Sequence, residues 1–130
     1  MSTDSDLKST IIGVTERLIA AINAADYAAY TKMVDPNLTS FEPEAVDTLI
    51  IVLTKDTAPK RTSLLSPVVH KLGTDSAVIA YIRLNQFVDK NGNVVTTRGE
   101  ETRVWHKKDG KWQLVHFHRS DVPSNYLIEK

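Results

Sequence analysis

A chain of 130 residues, 42% apolar and 25% charged, has the size and make-up of one domain, residues 1–130, around a single hydrophobic core. Sixteen basic residues balance sixteen acidic ones, so no overall field draws it to nucleic acid or to an acidic membrane. The lack of cysteine excludes disulfides, thiol catalysis and thiolate metal sites. With no signal-like order in "MSTDSDLKST" and no apolar run longer than "LIIVL", the chain reads as soluble and cytoplasmic.

Leu7, Ile11, Val14, Leu18 and Ile22 recur at helical spacing, and Ile12, Thr15 and Ile19 widen the stripe. This predicts a long amphipathic helix, capped by the Ser/Thr/Asp cluster before Leu7. Asp26 suits the cap of a second, short helix with Tyr27, Tyr30 and Val34 on one side, ending at Asp35-Pro36. "LTSFEPEA" reads as a short extended piece and a turn, with Glu42 and Glu44 as an exposed helix-start signature. "VDTLIIVLTKDTAPKR" fits a strand or a buried helical turn equally.

From Thr62 the pattern turns to β. "TSLLSPVVHKL" is a strand broken by Pro67, as at an edge or a bulge, and "SAVIAYIRLNQFV" is the strongest strand. Asn91-Gly92 marks a turn, "VVTTRGEETRVWH" runs back to "KDG", and "KWQLVHFHRS" follows. Gly99, inside a strand, permits a bulge and a bend. The expected fold is an α+β cone: a curved antiparallel sheet of three long strands and a weaker one wraps over the long helix. The tail "DVPSNYLIEK" either docks on a neighbour or stays loose.

Alternation sets which side chains share a face. In "SAVIAYIRLNQFV" both parities are mainly apolar, and one helix covers only one face of a sheet. The other face therefore calls for a partner, most simply a second copy of the chain. A three-residue loop at "KDG" pairs Lys107 with Lys111, Arg103 with Val115, Glu101 with Phe117 and Gly99 with Arg119. A five-residue loop around Asn91-Gly92 pairs Arg83 with Glu101 and Tyr81 with Arg103. Arg83, Arg103, Arg119 and Glu101 then share a face with Tyr81, Trp105 and Phe117. Thr102, Val104, Leu114 and the histidines take the other.

Like charges about 6 Å apart repel by roughly 3 kcal/mol at an effective dielectric of 20. Three arginines beside one glutamate in a partly dry cavity therefore call for an anion, best a carboxylate gripped by two N–H groups.

The stretches "ERLIAAINAADYAAYTKMVDPNLTSFEPEA", "AYIRLNQFVD" and "EETRVWHKKDGKWQLVHFHRS" also resemble the association (hub) domain of calcium/calmodulin-dependent protein kinase II, in the nuclear transport factor 2-like cone superfamily. The resemblance implies homo-oligomers of two stacked rings, dodecamers or tetradecamers, with kinase-linked subunits as further partners. It also implies a deep pocket for small carboxylates, with its arginines at Arg83, Arg103 and Arg119 and its histidine at His70. Between Ala45 and Pro59 the chain is several residues shorter than the family and lacks an aromatic-rich helix that helps cover the pocket. Val68 stands where the family often has histidine. The helix begins near Met1, so a free-standing, excised or engineered hub is expected.

The site residues expected are thus Arg83, Arg103, Arg119, Glu101, Tyr81 and His70, with no cofactor and no metal. His116 and His118 share a face, but alternate strand positions without an orienting carboxylate make a weak zinc site. The competing expectation is a cone-fold enzyme of isomerase, dehydratase or hydrolase type, with Glu101 or His70 as general base and an arginine steadying an oxyanion. A carboxylate beside three arginines has a depressed pKa and makes a poor base.

Overall fold

Helix α1 (Asp4–Asn23) carries the apolar stripe, burying Ile11, Val14, Thr15, Leu18, Ile19 and Ala21 and opening with Asp4 and Asp6 at its positive end. The computed structural model describes residues 4–42 and 60–121. The stretch 46–59, Glu44 and the tail beyond Asp121 lie outside the described residues.

The helix closes with two backbone bonds, Ala25 N–H to Ile22 O at 3.0 Å and Asp26 N–H to Ala21 O at 2.9 Å. Ala25 takes the left-handed conformation (φ 56°) that such an ending requires. Asp26 at once caps α2 (Tyr27–Met33), its side chain accepting from Ala29 N–H, as its position in the sequence suggests.

The chain then extends directly into β1 (Val34–Phe41), which runs through Asp35-Pro36. Four further strands follow: β2 (Lys60–Lys71), β3 (Ser76–Val88), β4 (Val94–Lys108) and β5 (Lys111–Asp121). They form one sheet in the order β1-β5-β4-β3-β2. Four strands are antiparallel, as expected, but β1 adds to the edge in parallel with β5, so the sheet is mixed. Pro36 is compatible with that place because an edge strand leaves some N–H positions unused.

All six expected cross-strand pairings shift. The β4–β5 turn has two residues, Asp109 (φ 52°) and Gly110 (φ 80°), so Lys108 rather than Lys107 faces Lys111. Farther on, β5 carries one extra residue, Val115, between the pairs Trp105–Leu114 and Val104–His116. The two single-residue slips add to two, so Arg103 faces Phe117 and Glu101 faces Arg119. Between β3 and β4 the loop has the expected five residues but spans Asp89–Asn93, fixed by the Asp89 carboxylate on the N–H groups of Asn91 and Asn93. Tyr81 therefore faces Glu101 and Arg83 faces Gly99.

A shift of two preserves the face of every side chain, and the expected grouping of Tyr81, Arg83, Glu101, Arg103, Trp105 and Phe117 stands: all are buried. Leu114 does not stay on the other face. It lies on the turn side of the Val115 bulge and packs into the core, fully buried. Gly99 forms no bulge. It holds regular pairs with Arg83 and Asp121 and instead allows close approach, since a Cβ there would lie 3.2 Å from Ser120 O and 3.0 Å from an Asp121 carboxylate oxygen.

The core sits between α1 and the inner sheet face: Ile11, Val14, Leu18 and Ile19 meet Ala77, Ile79, Tyr81, Trp105, Leu114 and Phe117. The outer face keeps apolar groups in solvent, with Phe41 67%, Val68 49% and Leu65 40% exposed. Phe41 stands edge-on to His116 and His118 there.

Candidate functional site

Below the helix, the inner face is polar at one end. Glu101 projects from β4 into full burial and is shared by three donors. Arg83 Nη1 lies 3.1 Å from one carboxylate oxygen, while Arg103 Nη2, at 3.4 Å, and the Tyr81 hydroxyl reach the other. Arg103 Nε also donates to the Tyr81 oxygen at 2.9 Å, and its guanidinium lies 3.8 Å over the Phe117 ring. Arg103 and Arg83 are almost entirely buried, with side chains 2% and 10% exposed.

Charge and burial compete in this cluster. Burial pushes the Glu101 carboxyl up, but Arg103 and Arg83, with the Tyr81 hydroxyl, outweigh it and hold Glu101 below the usual carboxylate range. Burial raises the Tyr81 hydroxyl, which stays protonated and donates. Tyr30, buried on α2 near Arg103, is pushed up to about 12, again chiefly by burial. Arg103 is held in its charged form by Tyr81 and Glu101 against its burial. Two guanidiniums thus share one carboxylate, leaving one net positive charge. Among the described residues, Arg83 Nη2 and Arg103 Nη1 donate to nothing.

A polar chain leads away from Arg83. Its Nε donates to Asn85 Oδ1 at 3.2 Å, Thr62 Oγ1 donates to the same oxygen at 2.8 Å, and Asn23 Nδ2, at the end of α1, donates to Thr62 Oγ1 at 2.8 Å. The Asn23 Oδ1 atom is buried without a partner among the described residues, a cost of about 1–3 kcal/mol. A separate buried relay ties helix to sheet: Trp105 Nε1 donates to Thr15 Oγ1 (3.1 Å), which donates to Ile11 O (2.8 Å).

Arg119 differs from the other two arginines. It faces Glu101 across the sheet, but its Nε lies 3.2 Å from Asp121 and its Nη1 3.9 Å from Glu42. The expected surplus of three arginines over one glutamate is therefore corrected: Glu42 and Asp121 attend Arg119, and the surplus belongs to Arg83 and Arg103. Glu42, read from the sequence as an exposed helix-start residue, has a side chain only 16% exposed. It follows the parallel strand β1, whose position on the sheet edge no local pattern gave. Asn85 and Thr62 were likewise missed, although the alternation of Asn85 with Arg83 on β3 was a usable signal for the first.

His70 is not brought to the cluster. Ser66 (φ 51°) and Pro67 form a bulge, two residues opposite Tyr81 alone, between the pairs Leu65–Ile82 and Val68–Ala80. The bulge reverses parity, so Val69 turns inward and His70, opposite Val78, is exposed on the outer face. Both candidate bases thus lose their footing, Glu101 to its three donors and His70 to its position. Among the described residues no three His, Asp or Glu side chains gather to hold a metal. No described helix is long and apolar enough to cross a membrane.

Residues 7–123 match the family model described as calcium/calmodulin-dependent protein kinase II association domain. The chain belongs to this association-domain family. The delta subunit of the kinase from Oryctolagus cuniculus is 50% identical over 135 aligned positions covering 93% of this chain, so the relative carries residues that this chain lacks. The chain spans a quarter (25%) of that relative's length. Among solved structures, the association domain of C. elegans CaMKII superposes with a TM-score of 0.84 at 37% identity, covering 90% of this chain and 97% of that one. The Chlamydomonas reinhardtii hub homology domain gives 0.77 at 40% identity, covering 86% and 95%. A nuclear transport factor 2-like protein from Salmonella enterica, 23% identical with a TM-score of 0.74, shares the fold. The association domain is an oligomerisation domain, a non-catalytic hub that forms homo-oligomers.

Proposed function

We propose that this association domain assembles in the cytoplasm as two stacked rings, about twelve or fourteen copies in all, and holds a small carboxylate at its buried arginines. Kinase-linked subunits are the further partners this reading implies. Assembly is supported by the outer sheet face, where Phe41, Leu65 and Val68 stand exposed on a surface that α1 does not cover.

The carboxylate reading rests on one observation: Arg83 and Arg103, both nearly dry, share the single charge of Glu101 and keep N–H groups without acceptors among the described residues. A bound carboxylate supplies the missing charge and accepts from the free edges of both forks. Tyr81 orients Arg103 through its Nε, and Arg119 stands beside the pair on β5, completing the site.

Native mass spectrometry at micromolar concentration tests the assembly. The expected result is a narrow set of masses near twelve or fourteen times the chain's 14.5 kDa. A monomer or a plain dimer as the sole species contradicts the ring.

A further inference from the structure

We infer that Asn85 and Thr62 are positioning residues of the anion site: they hold Arg83 by its Nε edge so that its Nη2 group stays available to a carboxylate. The inference rests on the carboxylate reading above. Thr62 faces Asn85 across β2 and β3, beside the pair Leu64–Arg83, so the sheet itself sets the spacing of the three groups.

The direction of every proton in this chain follows from one fact, that arginine only donates. Arg83 Nε must donate, so the Asn85 atom it meets is the carbonyl oxygen Oδ1. Thr62, bonded to that same oxygen, must spend its hydroxyl proton there. Its oxygen can then only accept, and Asn23 must present Nδ2. Asn23 Oδ1 is thereby turned to a buried place with no partner among the described residues. A network that leaves an orphan at its far end is not arranged for stability alone. Its well-satisfied end is the arginine.

Without the Asn85 anchor, Arg83 keeps only its Nη1 contact with Glu101. It is then free to swing and pair with that carboxylate through a second nitrogen, which withdraws donors from a ligand. Thr62 acts one step farther back by fixing the Asn85 amide, and touches neither Arg83 nor the carboxylate's place.

The test titrates acetate by calorimetry into the wild-type chain, Thr62→Val, Thr62→Ser, Asn85→Ala and Arg103→Ala. It also follows the Arg83 Nε–H resonance by NMR. Thr62→Val keeps the side-chain shape and is expected to weaken acetate about fivefold, the worth of one neutral hydrogen bond, while Thr62→Ser binds as the wild type does. The Nε–H signal is expected to be sharp in wild type and Thr62→Ser and broadened by exchange in Thr62→Val and Asn85→Ala. Unchanged affinity and an unchanged signal in a folded Thr62→Val, with binding lost in Arg103→Ala, overturn this inference and leave the carboxylate reading standing. No acetate binding by the wild type overturns both.

Discussion

Arg83 and Glu101 are ion-paired at 3.1 Å although neither is the other's cross-strand partner: Arg83 faces Gly99 and Glu101 faces Tyr81. The pair is diagonal across β3 and β4. Glu101 neutralises part of a cluster that would otherwise bury two bare guanidiniums.

Glu101→Gln removes that charge while keeping the shape. The expected loss is about 3–5 kcal/mol, the usual cost of breaking a buried ion pair on one side, read from denaturant midpoints. The effect of pH follows from the depressed Glu101 carboxyl. Its contribution is complete above the unfolded value of 4.5 and is lost as pH falls through the lower folded value. The stability gap between wild type and Glu101→Gln therefore holds from pH 7 down to about 4.5 and narrows below it.

Gly99→Ala tests the close approach. The new Cβ would press on Ser120 O and on the Asp121 oxygen that lies near Arg119. Crowding outweighs the entropy gained in the unfolded chain, for a net loss of about 1 kcal/mol. A Gly99→Ala variant as stable as the wild type would show that Asp121 moves aside without cost.

Thr15→Val separates the structural relay from the anion site. Trp105 Nε1–H loses its acceptor in a fully buried position, so unfolding by urea should shift by about 1–3 kcal/mol with little change in slope. Acetate affinity should be unaffected, because the Trp105–Thr15–Ile11 relay shares no hydrogen bond with Arg83, Arg103 or Glu101.

The inner face was legible in the sequence because alternation is insensitive to a slip of two. The loop Asp89–Asn93 lies one residue earlier than expected, yet Arg83, Glu101 and Arg103 remain together. A single-residue bulge is different, since it exchanges faces. The Ser66-Pro67 bulge carries His70 outward, and the extra Val115 turns Leu114 inward. Pro67 hinted at the first; nothing in "QLVHF" marks the second. The parallel edge strand was hidden for another reason. Its pairing with β5 joins segments far apart in the chain, and so the approach of Glu42 to Arg119 had no local signal.

The central claim is that Arg83 and Arg103 hold one charge too few between them and accept a carboxylate. Calorimetric titration of acetate into the wild-type chain, Arg103→Ala and Arg103→Lys tests it directly. We predict saturable binding to the wild type and its loss in Arg103→Ala. Arg103→Lys should be weakened, because an ammonium keeps the charge but not the two-pronged donor edge. Acetate binding of equal strength in all three proteins, or none in the wild type, would contradict the claim.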